Sequence, residues 1–270
     1  MKKFTKVRQI DGAEVQPRIA KLLEEIAEVC KEHNLKWFMF GGTLLGAVRH
    51  SGFIPWDDDI DIAMPRDDYN KLIELQKQGK LKNTLVCREL NRDYNYLFAK
   101  YSEDGTYMKE KLVRTGKFGL YVDIFPLDGL GDTMEGAIKI MKRVRPWAGL
   151  YWATMTPMSI KWLFLIPPFT PLFFMNKFFA RRMEKISTGR PFNKSEYVGK
   201  FNTRVTTRQI MPRSYYEELV QMPFEGQMYP APKEYDAWLT KFYGANYMVV
   251  PTNITKSTHG FKAWEIEFKK

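Results

Sequence analysis

The feature that most constrains the fold is the acidic segment 57–61, Asp-Asp-Asp-Ile-Asp, which continues into an alternation of acidic and apolar residues. A period of two is typical of a β-strand, with the odd-numbered carboxylates on one side and Ile60 and Ile62 on the other. Carboxylates so close together repel each other unless a cation lies among them. The segment therefore predicts a strand with an apolar face in the core and an acidic face toward a cation.

Convergent carboxylates at a strand end are typical of a hard-cation site. A few oxygen ligands that leave room for water and phosphate favour Mg²⁺. One alternative is a solvated acidic loop. Another is a Ca²⁺-binding loop, but the required glycine at its sixth position and glutamate at its twelfth are missing. Two or three of Asp57, Asp59 and Asp61 are therefore candidate Mg²⁺ ligands, and Asp58 is expected to face away.

A second motif, Gly41-Gly42-Thr43, lies between a predicted strand and a predicted short helix. Glycines at such a junction let backbone N–H groups approach an anion, and the threonine hydroxyl adds a donor. The motif is not a P-loop, because the Gly-Lys-Ser/Thr ending is missing. Alone it is more typical of a turn, but beside an acidic strand it indicates a phosphate site.

The remaining pattern predicts an α+β fold. Apolar residues at helical spacing predict a helix over residues 15–33. Strands are predicted at 35–40, 59–63, 84–87, 96–101 and 119–125, the last ending at Pro126. Helices with basic and aromatic residues dominate after residue 132. A mixed-sheet core with flanking helices, followed by a helical, basic, aromatic-rich segment, is the expected architecture.

The basic charge is concentrated in the middle of the chain. The net charge is +11, and residues 136–213 hold 15 basic and 2 acidic residues. Such a segment favours a polyanion or an anionic lipid surface, although a basic surface without a partner is the alternative. Residues 162–175 are almost wholly apolar but contain three prolines, which excludes a spanning helix. They are predicted to be an interface-seeking segment or a buried helical hairpin or dimer contact.

Residues 40–64 resemble the LicD family of the nucleotidyltransferase-fold superfamily, through Gly41-Gly42-Thr43-Leu44-Leu45-Gly46, Arg49 and Ile54-Pro55-Trp56-Asp57-Asp58-Asp59-Ile60-Asp61. The family pattern is a Gly-Gly or Gly-Ser turn, then Asp-x-Asp, then a carboxylate on a later strand. Residues 122–129 resemble that later strand and supply Asp123. Lys100, Thr106 and Glu110 resemble an intervening stretch, and residues 243–259 are similar to the family's tail.

The resemblance implies a Mg²⁺-dependent phosphotransferase with the corresponding fold. LicD-like proteins move a phospho-alcohol group, often phosphocholine, from a CDP-linked donor to a sugar hydroxyl of a cell-surface glycan precursor. Asp59 and Asp61 would hold Mg²⁺ against the donor pyrophosphate. Asp123 would complete the site as a ligand, as a general base, or as both. The expected partners are CDP-choline and a lipid-linked glycan or teichoic-acid-type acceptor, with an anionic membrane surface and no nucleic acid.

Further residues have expected roles in substrate binding. Gly41, Gly42 and Thr43 would bind phosphate oxygens. Arg49 and Lys100 are candidates for neutralising charge on the transferred group, although Arg49 could pair with the acidic loop and Lys100 could be an ordinary strand lysine. A choline headgroup would be held by aromatic rings through cation–π attraction. The candidates for these rings are Trp56 first, then Tyr94, Tyr96 and Tyr121, and the alternative is that these aromatic residues belong to the core. His259 is expected to close over the site, and the alternative is a structural role.

We expect three regions, namely a catalytic core at residues 1–131, a basic helical acceptor- or membrane-facing segment at 132–213, and a C-terminal segment at 214–270 that packs on the core. Two cysteines exclude a disulfide scaffold, and no apolar signal-peptide core follows the basic N-terminus. A cytoplasmic protein, peripheral at the inner membrane face, is expected. The alternative functions are a nucleotidyltransferase that releases pyrophosphate and a non-catalytic protein that binds anionic lipid or RNA.

Overall fold

Strand β7 (Tyr121–Gly131) is the central strand of the largest sheet in the computed structural model, which describes residues 4–110, 115–156, 175–201, 206–251 and 262–268. It pairs in parallel with β3 (Asp61–Pro65) on one side and antiparallel with β5 (Ala99–Ser102) on the other. The remaining strands of this sheet are short: β2 (Phe38–Met39), β4 (Thr84–Val86), β8 (Tyr197–Gly199) and β9 (Met211–Pro212).

The main path of this sheet runs β2-β3-β7-β5-β4. Strand β8 pairs antiparallel with the later part of β7, where Asp128 lies opposite Gly199, and β9 pairs with β8. Strand β7 therefore carries the predicted acidic site near its first residues. Near its last residues it pairs with β8, which belongs to the basic middle of the chain.

Two smaller sheets complete the described strands. Strand β12 (Lys262–Phe268) lies between β1 (Phe4–Gln9) and β6 (Thr106–Lys109), so residues from near both ends of the chain share one antiparallel sheet. Strands β10 (Leu219–Phe224) and β11 (Gln227–Pro232) form a hairpin.

Six α-helices flank these sheets in the described ranges, and the fold is α+β, as the sequence predicts. None of the helices described is long and apolar enough to cross a membrane. The helices are α1 (Gly12–Glu32), α2 (Gly41–His50), α3 (Arg66–Lys77), α4 (Met134–Met155), α5 (Asn176–Ser187) and α6 (Tyr235–Tyr243).

Helix α1 begins three residues before the predicted start because Asp11 caps it. The Asp11 carboxylate accepts the Ala13 N–H at 2.9 Å, and the Glu14 carboxylate accepts the Asp11 N–H at 3.1 Å, which completes a capping box. The predicted apolar stripe is buried, and Ile19, Leu23 and Ile26 are among its most enclosed side chains.

Two predicted strand boundaries differ from the structure. Strand β3 begins at Asp61, so Asp59 lies in the loop before it. Strand β7 continues through Pro126 to Gly131 instead of ending at the proline. Pairing between β7 and β5 stops at Ile124. Pro126 lies beyond that point, so its missing N–H removes no hydrogen bond to β5.

Candidate active site

Three charged residues lie side by side across three neighbouring strands. Asp61 of β3 is paired with Asp123 of β7, and Asp123 is paired with Lys100 of β5. Directly opposed residues on paired strands project from the same face of a sheet. The sheet therefore brings together three residues that are widely separated in the sequence, and it places two predicted catalytic carboxylates next to each other.

Lys100 is an ion-pair partner within this row, not an exposed strand lysine. It is only 2% exposed, and its Nζ lies 2.7 Å from Asp123 Oδ1 and 3.7 Å from Glu110 Oε1. Glu110 in turn accepts hydrogen bonds from the hydroxyls of Tyr96 and Tyr121. This network fixes the orientation of one Asp123 oxygen.

Aromatic rings surround the Lys100 ammonium. Its Nζ lies 3.2 Å from the centre of the Tyr121 ring and 5.1 Å from that of Tyr96, with Phe98 and Phe118 at similar distances. Tyr96 and Tyr121, which were candidate choline contacts, therefore meet a lysine of the protein itself. Tyr94 is buried against Tyr96 and Phe118.

The two paired carboxyl groups have raised pKa values. Burial raises the pKa of Asp123 to about 7, where the Lys100 ammonium opposes the rise and the charges of Asp59 and Glu110 add to it. Burial, together with the charges of Asp59, Asp123 and Asp57, raises the pKa of Asp61 well above its usual range, against the opposing effect of Lys200. Without a cation, burial and mutual repulsion therefore favour the protonated form of both carboxyl groups.

Asp59 joins Asp61 and Asp123 in an acidic cluster, although it precedes β3 in the sequence. Its charge acts on Asp61 and on Asp123, which places the predicted Asp-x-Asp pair and the third carboxylate in one electrostatic unit. The loop is attached to α1, because the Gln16 side-chain amide donates to the Asp57 carbonyl oxygen at 2.8 Å.

The glycines predicted to bind phosphate are the first two residues of α2. Gly41 has a φ of +57°, and a Cβ there would lie 2.6 Å from Asp61 Oδ2. A Cβ on Gly42 would lie 2.7 Å from Asp57 Oδ2. The absence of side chains thus brings the positive end of the helix against the acidic cluster. Thr43 is buried, and its hydroxyl accepts the Asp61 N–H at 2.7 Å, which positions the start of β3.

Arg49 and Trp56 lie on a partly exposed wall of the site. Arg49 donates to His50 Nε2 at 2.9 Å and to the Tyr247 carbonyl oxygen at 3.0 Å, and its guanidinium carbon is 6.0 Å from the Trp56 ring centre. It thus joins α2 to the segment after α6. Tyr243 belongs to the same wall: the residue is 41% exposed, and partial burial together with the charges of Asp61, Asp57 and Asp59 raises its pKa.

Lys200 is a charged residue of this site that sequence reasoning missed. It follows β8 and is nearly buried, and the carboxylates of Asp61, Asp123 and Asp59 all favour its charged form. Its only sequence signal was membership of the basic middle segment. The predicted site residue His259 lies outside the described residues, as does 162–175 apart from Met175.

The carboxylates of Asp61, Asp123 and Asp59 are the candidate ligands for Mg²⁺ in the described part of the chain. In the described ranges, no three His, Cys, Asp or Glu side chains are already gathered as a metal site. The chemistry of the donors nevertheless fits, because carboxylate oxygens that repel one another in a buried site suit a hard divalent cation. Asp61, Asp123 and Asp59 are the side chains that would hold it.

One family model and several known proteins are similar in sequence to this chain. A family model described as "LicD/FKTN/FKRP, nucleotidyltransferase domain" matches residues 34–147, which include the Gly-Gly motif, the acidic loop and the whole of β7. The "Lipopolysaccharide cholinephosphotransferase LicD" of Haemophilus influenzae is 26% identical over 249 residues, which cover 88% of this chain and 91% of that protein.

Two further relatives match shorter stretches. The "Uncharacterized protein RT0683" of Rickettsia typhi is 28% identical over 132 residues, or 42% of this chain and 43% of that protein. The "Ribitol 5-phosphate transferase FKRP" of Mus musculus is 31% identical over 70 residues, or 24% of this chain and 14% of that protein.

Proposed function

Because the chain is a phosphotransferase of the LicD family, we propose that it transfers phosphocholine from CDP-choline to a hydroxyl of a cell-surface glycan or teichoic-acid-type precursor. The observation that carries this proposal is the row of Asp61, Asp123 and Lys100 across three strands, within a chain similar over most of its length to a cholinephosphotransferase. That likeness supports choline as the alcohol and a surface glycan as the acceptor, and the row of charged residues supports the chemistry.

The residues divide the reaction between them. The acceptor hydroxyl oxygen forms a bond to the phosphocholine phosphorus, the bond from that phosphorus to the CMP oxygen breaks, and CMP leaves. Asp123 accepts the hydroxyl proton as the general base, through the carboxylate oxygen that is not paired with Lys100. Lys100 holds the other end of that carboxyl group in place. The N–H groups at the start of α2 face phosphate oxygens.

Mg²⁺, when bound, would neutralise charge on the donor pyrophosphate. Asp61 and Asp59 would be its ligands with Asp123. Thr43 supports this arrangement by holding the backbone of Asp61 through its hydroxyl.

Trp56 is proposed to contact the choline cation. The residue is half-buried and directly precedes the acidic loop. Cation–π attraction is worth roughly 0.5–2 kcal/mol. We expect Trp56→Leu to raise KM for CDP-choline several-fold and to leave KM for CDP-glycerol, which has no cation, unchanged.

A basic helical hairpin is proposed to place the protein on an anionic membrane that carries the acceptor. Helices α4 and α5 pack together, with Trp147 against Phe178 and Phe179. Their basic residues are all exposed, and Leu150 and Phe178 are each 39% exposed on the same hairpin. Cationic and apolar groups together suit an anionic lipid surface. The basic residues are Lys139, Lys142, Arg143, Arg145, Lys177, Arg181, Arg182 and Lys185.

Product analysis tests the function directly. The protein is incubated with Mg²⁺ and, in turn, CDP-choline, CDP-ribitol, CDP-glycerol and the nucleoside triphosphates, with and without a lipid-linked glycan. We expect CMP release from CDP-choline, and its loss in Asp61→Asn but not in Asp67→Asn, an exposed aspartate of α3. Pyrophosphate release from a triphosphate would identify a nucleotidyltransferase instead. CMP release from another donor would correct the alcohol.

A further inference from the structure

Lys200 reaches the acidic row from a distant part of the sequence. Strand β8 runs antiparallel to β7, and Gly199 lies opposite Asp128. The chain that continues past Gly199 therefore runs back along β7 toward Asp123. Gly199 lets β8 approach its other neighbour closely, since a Cβ there would lie 2.6 Å from the Gln209 carbonyl oxygen.

Two aromatic rings define where the Lys200 ammonium lies. Its Nζ is 3.9 Å from the ring centre of Phe125 and 4.9 Å from that of Phe40. Phe125 is two residues beyond Asp123 on the same strand, so both side chains are on one face of the sheet. Phe40 directly precedes Gly41 at the start of α2. The ammonium is therefore next to both the carboxylates and the glycine motif.

This ammonium makes no close polar contact with the described part of the chain. Lys200 is 9% exposed, yet no hydrogen bond or ion pair to a described residue engages it, whereas Lys100 in the same row has two ion pairs. Burial lowers the pKa of Lys200, and the charges of Asp61, Asp123 and Asp59 oppose that effect. Since the carboxylates do not hold this ammonium in a close ion pair, its N–H donors can bind an anionic group of a ligand.

We propose that Lys200 is a further catalytic residue, whose ammonium binds a non-bridging oxygen of the donor pyrophosphate. This inference rests on the proposed function and deepens it. A phosphate oxygen beside the α2 N-terminus lies next to the Lys200 position. As the bond between the transferred phosphorus and the CMP oxygen breaks, negative charge grows on the departing phosphate, and a fixed cation stabilises that charge.

A purely structural role would predict a different geometry. A lysine that served only to neutralise the carboxylates would form ion pairs with them, as Lys100 does with Asp123. Lys200 instead lies over two rings, and the carboxylates act on it from farther away. This arrangement leaves its N–H donors available for a third, anionic group.

Calorimetric binding of inorganic pyrophosphate and of CDP-choline, both with Mg²⁺, tests the proposal. Lys200→Met keeps much of the stem and removes the charge, while Lys200→Arg keeps the charge. Lys194→Met is the matched control, since Lys194 is exposed and close in the sequence. We expect Lys200→Met to bind both probes about tenfold more weakly or worse, as the loss of a charged hydrogen bond predicts. Lys200→Arg should bind them with intermediate affinity and Lys194→Met should match the wild type.

The outcomes separate this proposal from the proposed function. If folded Lys200→Met binds pyrophosphate as tightly as the wild type, the role of Lys200 is overturned. The proposed function still stands in that case, provided that the wild type turns over CDP-choline. Lys200-dependent pyrophosphate binding by a wild-type protein that uses no CDP-alcohol supports the phosphate site and overturns the donor. A wild-type protein that binds neither probe overturns both. Thermal unfolding of each variant confirms that it is folded.

Discussion

Gly41 shows how strictly one backbone position is tied to the carboxylates. Its φ of +57° is a conformation that residues with a Cβ rarely adopt, and the space for that Cβ is taken by Asp61 Oδ2. A substitution therefore combines backbone strain with a clash inside the acidic cluster.

We predict that Gly41→Ala lowers the free energy of unfolding by about 1–3 kcal/mol and reduces turnover at least tenfold. Gly79→Ala is the control, because Gly79 also has a positive φ, +70°, but nothing lies within 4 Å of its Cβ position. Urea unfolding and CMP release measure the two effects. Equal losses of turnover in both variants would show that backbone strain, not contact with Asp61, is responsible.

Asp123 predicts a pH dependence of stability that can be measured without metal. Its folded-state pKa of about 7 is above the unfolded value of about 4, so the folded protein retains a proton that the unfolded chain loses between those pH values. The contribution of this carboxyl to the free energy of unfolding therefore falls as pH rises through that range.

The measurement is urea unfolding in chelator at several pH values, for the wild type and Asp123→Asn. We expect the stability of the wild type, relative to the variant, to decrease by up to about 1.4 kcal/mol per pH unit across that window. The exposed Asp67→Asn provides the baseline. A difference that stays constant with pH would contradict the raised pKa.

At the scale of single residues, the sequence predicted those site residues that lie within short local motifs. The Asp-x-Asp spacing pointed to Asp61, and the resemblance of residues 122–129 to the LicD family's later strand pointed to Asp123, which the sheet pairs with Asp61. The aromatic surroundings of Lys100 and the arrival of Lys200 were not predictable. Both depend on pairing between segments far apart in the chain, and residue spacing carries no information about such pairing.

At the scale of secondary-structure elements, a buried ion pair attaches α3 to the sheet. Arg66, the first residue of α3, donates from Nε and Nη2 to the two carboxylate oxygens of Asp128 on β7, each at 2.7 Å. The Asp128 side chain is 2% exposed. This pair lies at the opposite end of β3 and β7 from the acidic row, since Pro65 pairs with Leu127.

Removing one partner leaves a buried charge, so we predict that Arg66→Met lowers the free energy of unfolding by about 3–5 kcal/mol. Lys71→Met on the same helix breaks an exposed pair with Asp68 and should cost less than about 1 kcal/mol. Equilibrium unfolding in urea measures both. A similar small effect from the two substitutions would mean that α3 is held by its apolar face alone.

The elements themselves were largely predictable because their patterns are local. The helical stripe of α1 and the strands around the acidic segment follow from the spacing of apolar residues. Their ends were less predictable. Asp11 starts α1 through a side-chain cap, and β7 continues past Pro126 because no β5 pairing is present there to be interrupted.

At the scale of the whole molecule, acidic and basic regions meet along one strand. The carboxylates gather near the start of β7, and the basic hairpin of α4 and α5 follows its end. The proposed membrane role predicts that this polarity orients the protein on a surface, with the hairpin as the contact.

We predict that vesicles of phosphatidylcholine with phosphatidylglycerol bind the protein, that vesicles of phosphatidylcholine alone do not, and that added salt weakens binding. Arg143→Glu with Arg182→Glu should abolish sedimentation with the vesicles. The control reverses two exposed charges elsewhere, Lys21→Glu with Lys80→Glu. If both double variants lose binding equally, the net charge of the molecule and not the hairpin is responsible.

Strand β7 has a consequence for how sequences of this kind can change length. Asp123, Phe125 and Asp128 lie on one continuous strand, and β3, β5 and β8 all pair with it. Inserting or deleting one residue between Asp123 and Asp128 would turn every later side chain to the opposite face. The strand could then keep either Asp123 in the site or the Asp128 pair with Arg66, but not both. We therefore expect related chains to vary in the length of their loops and to keep this strand at a fixed length.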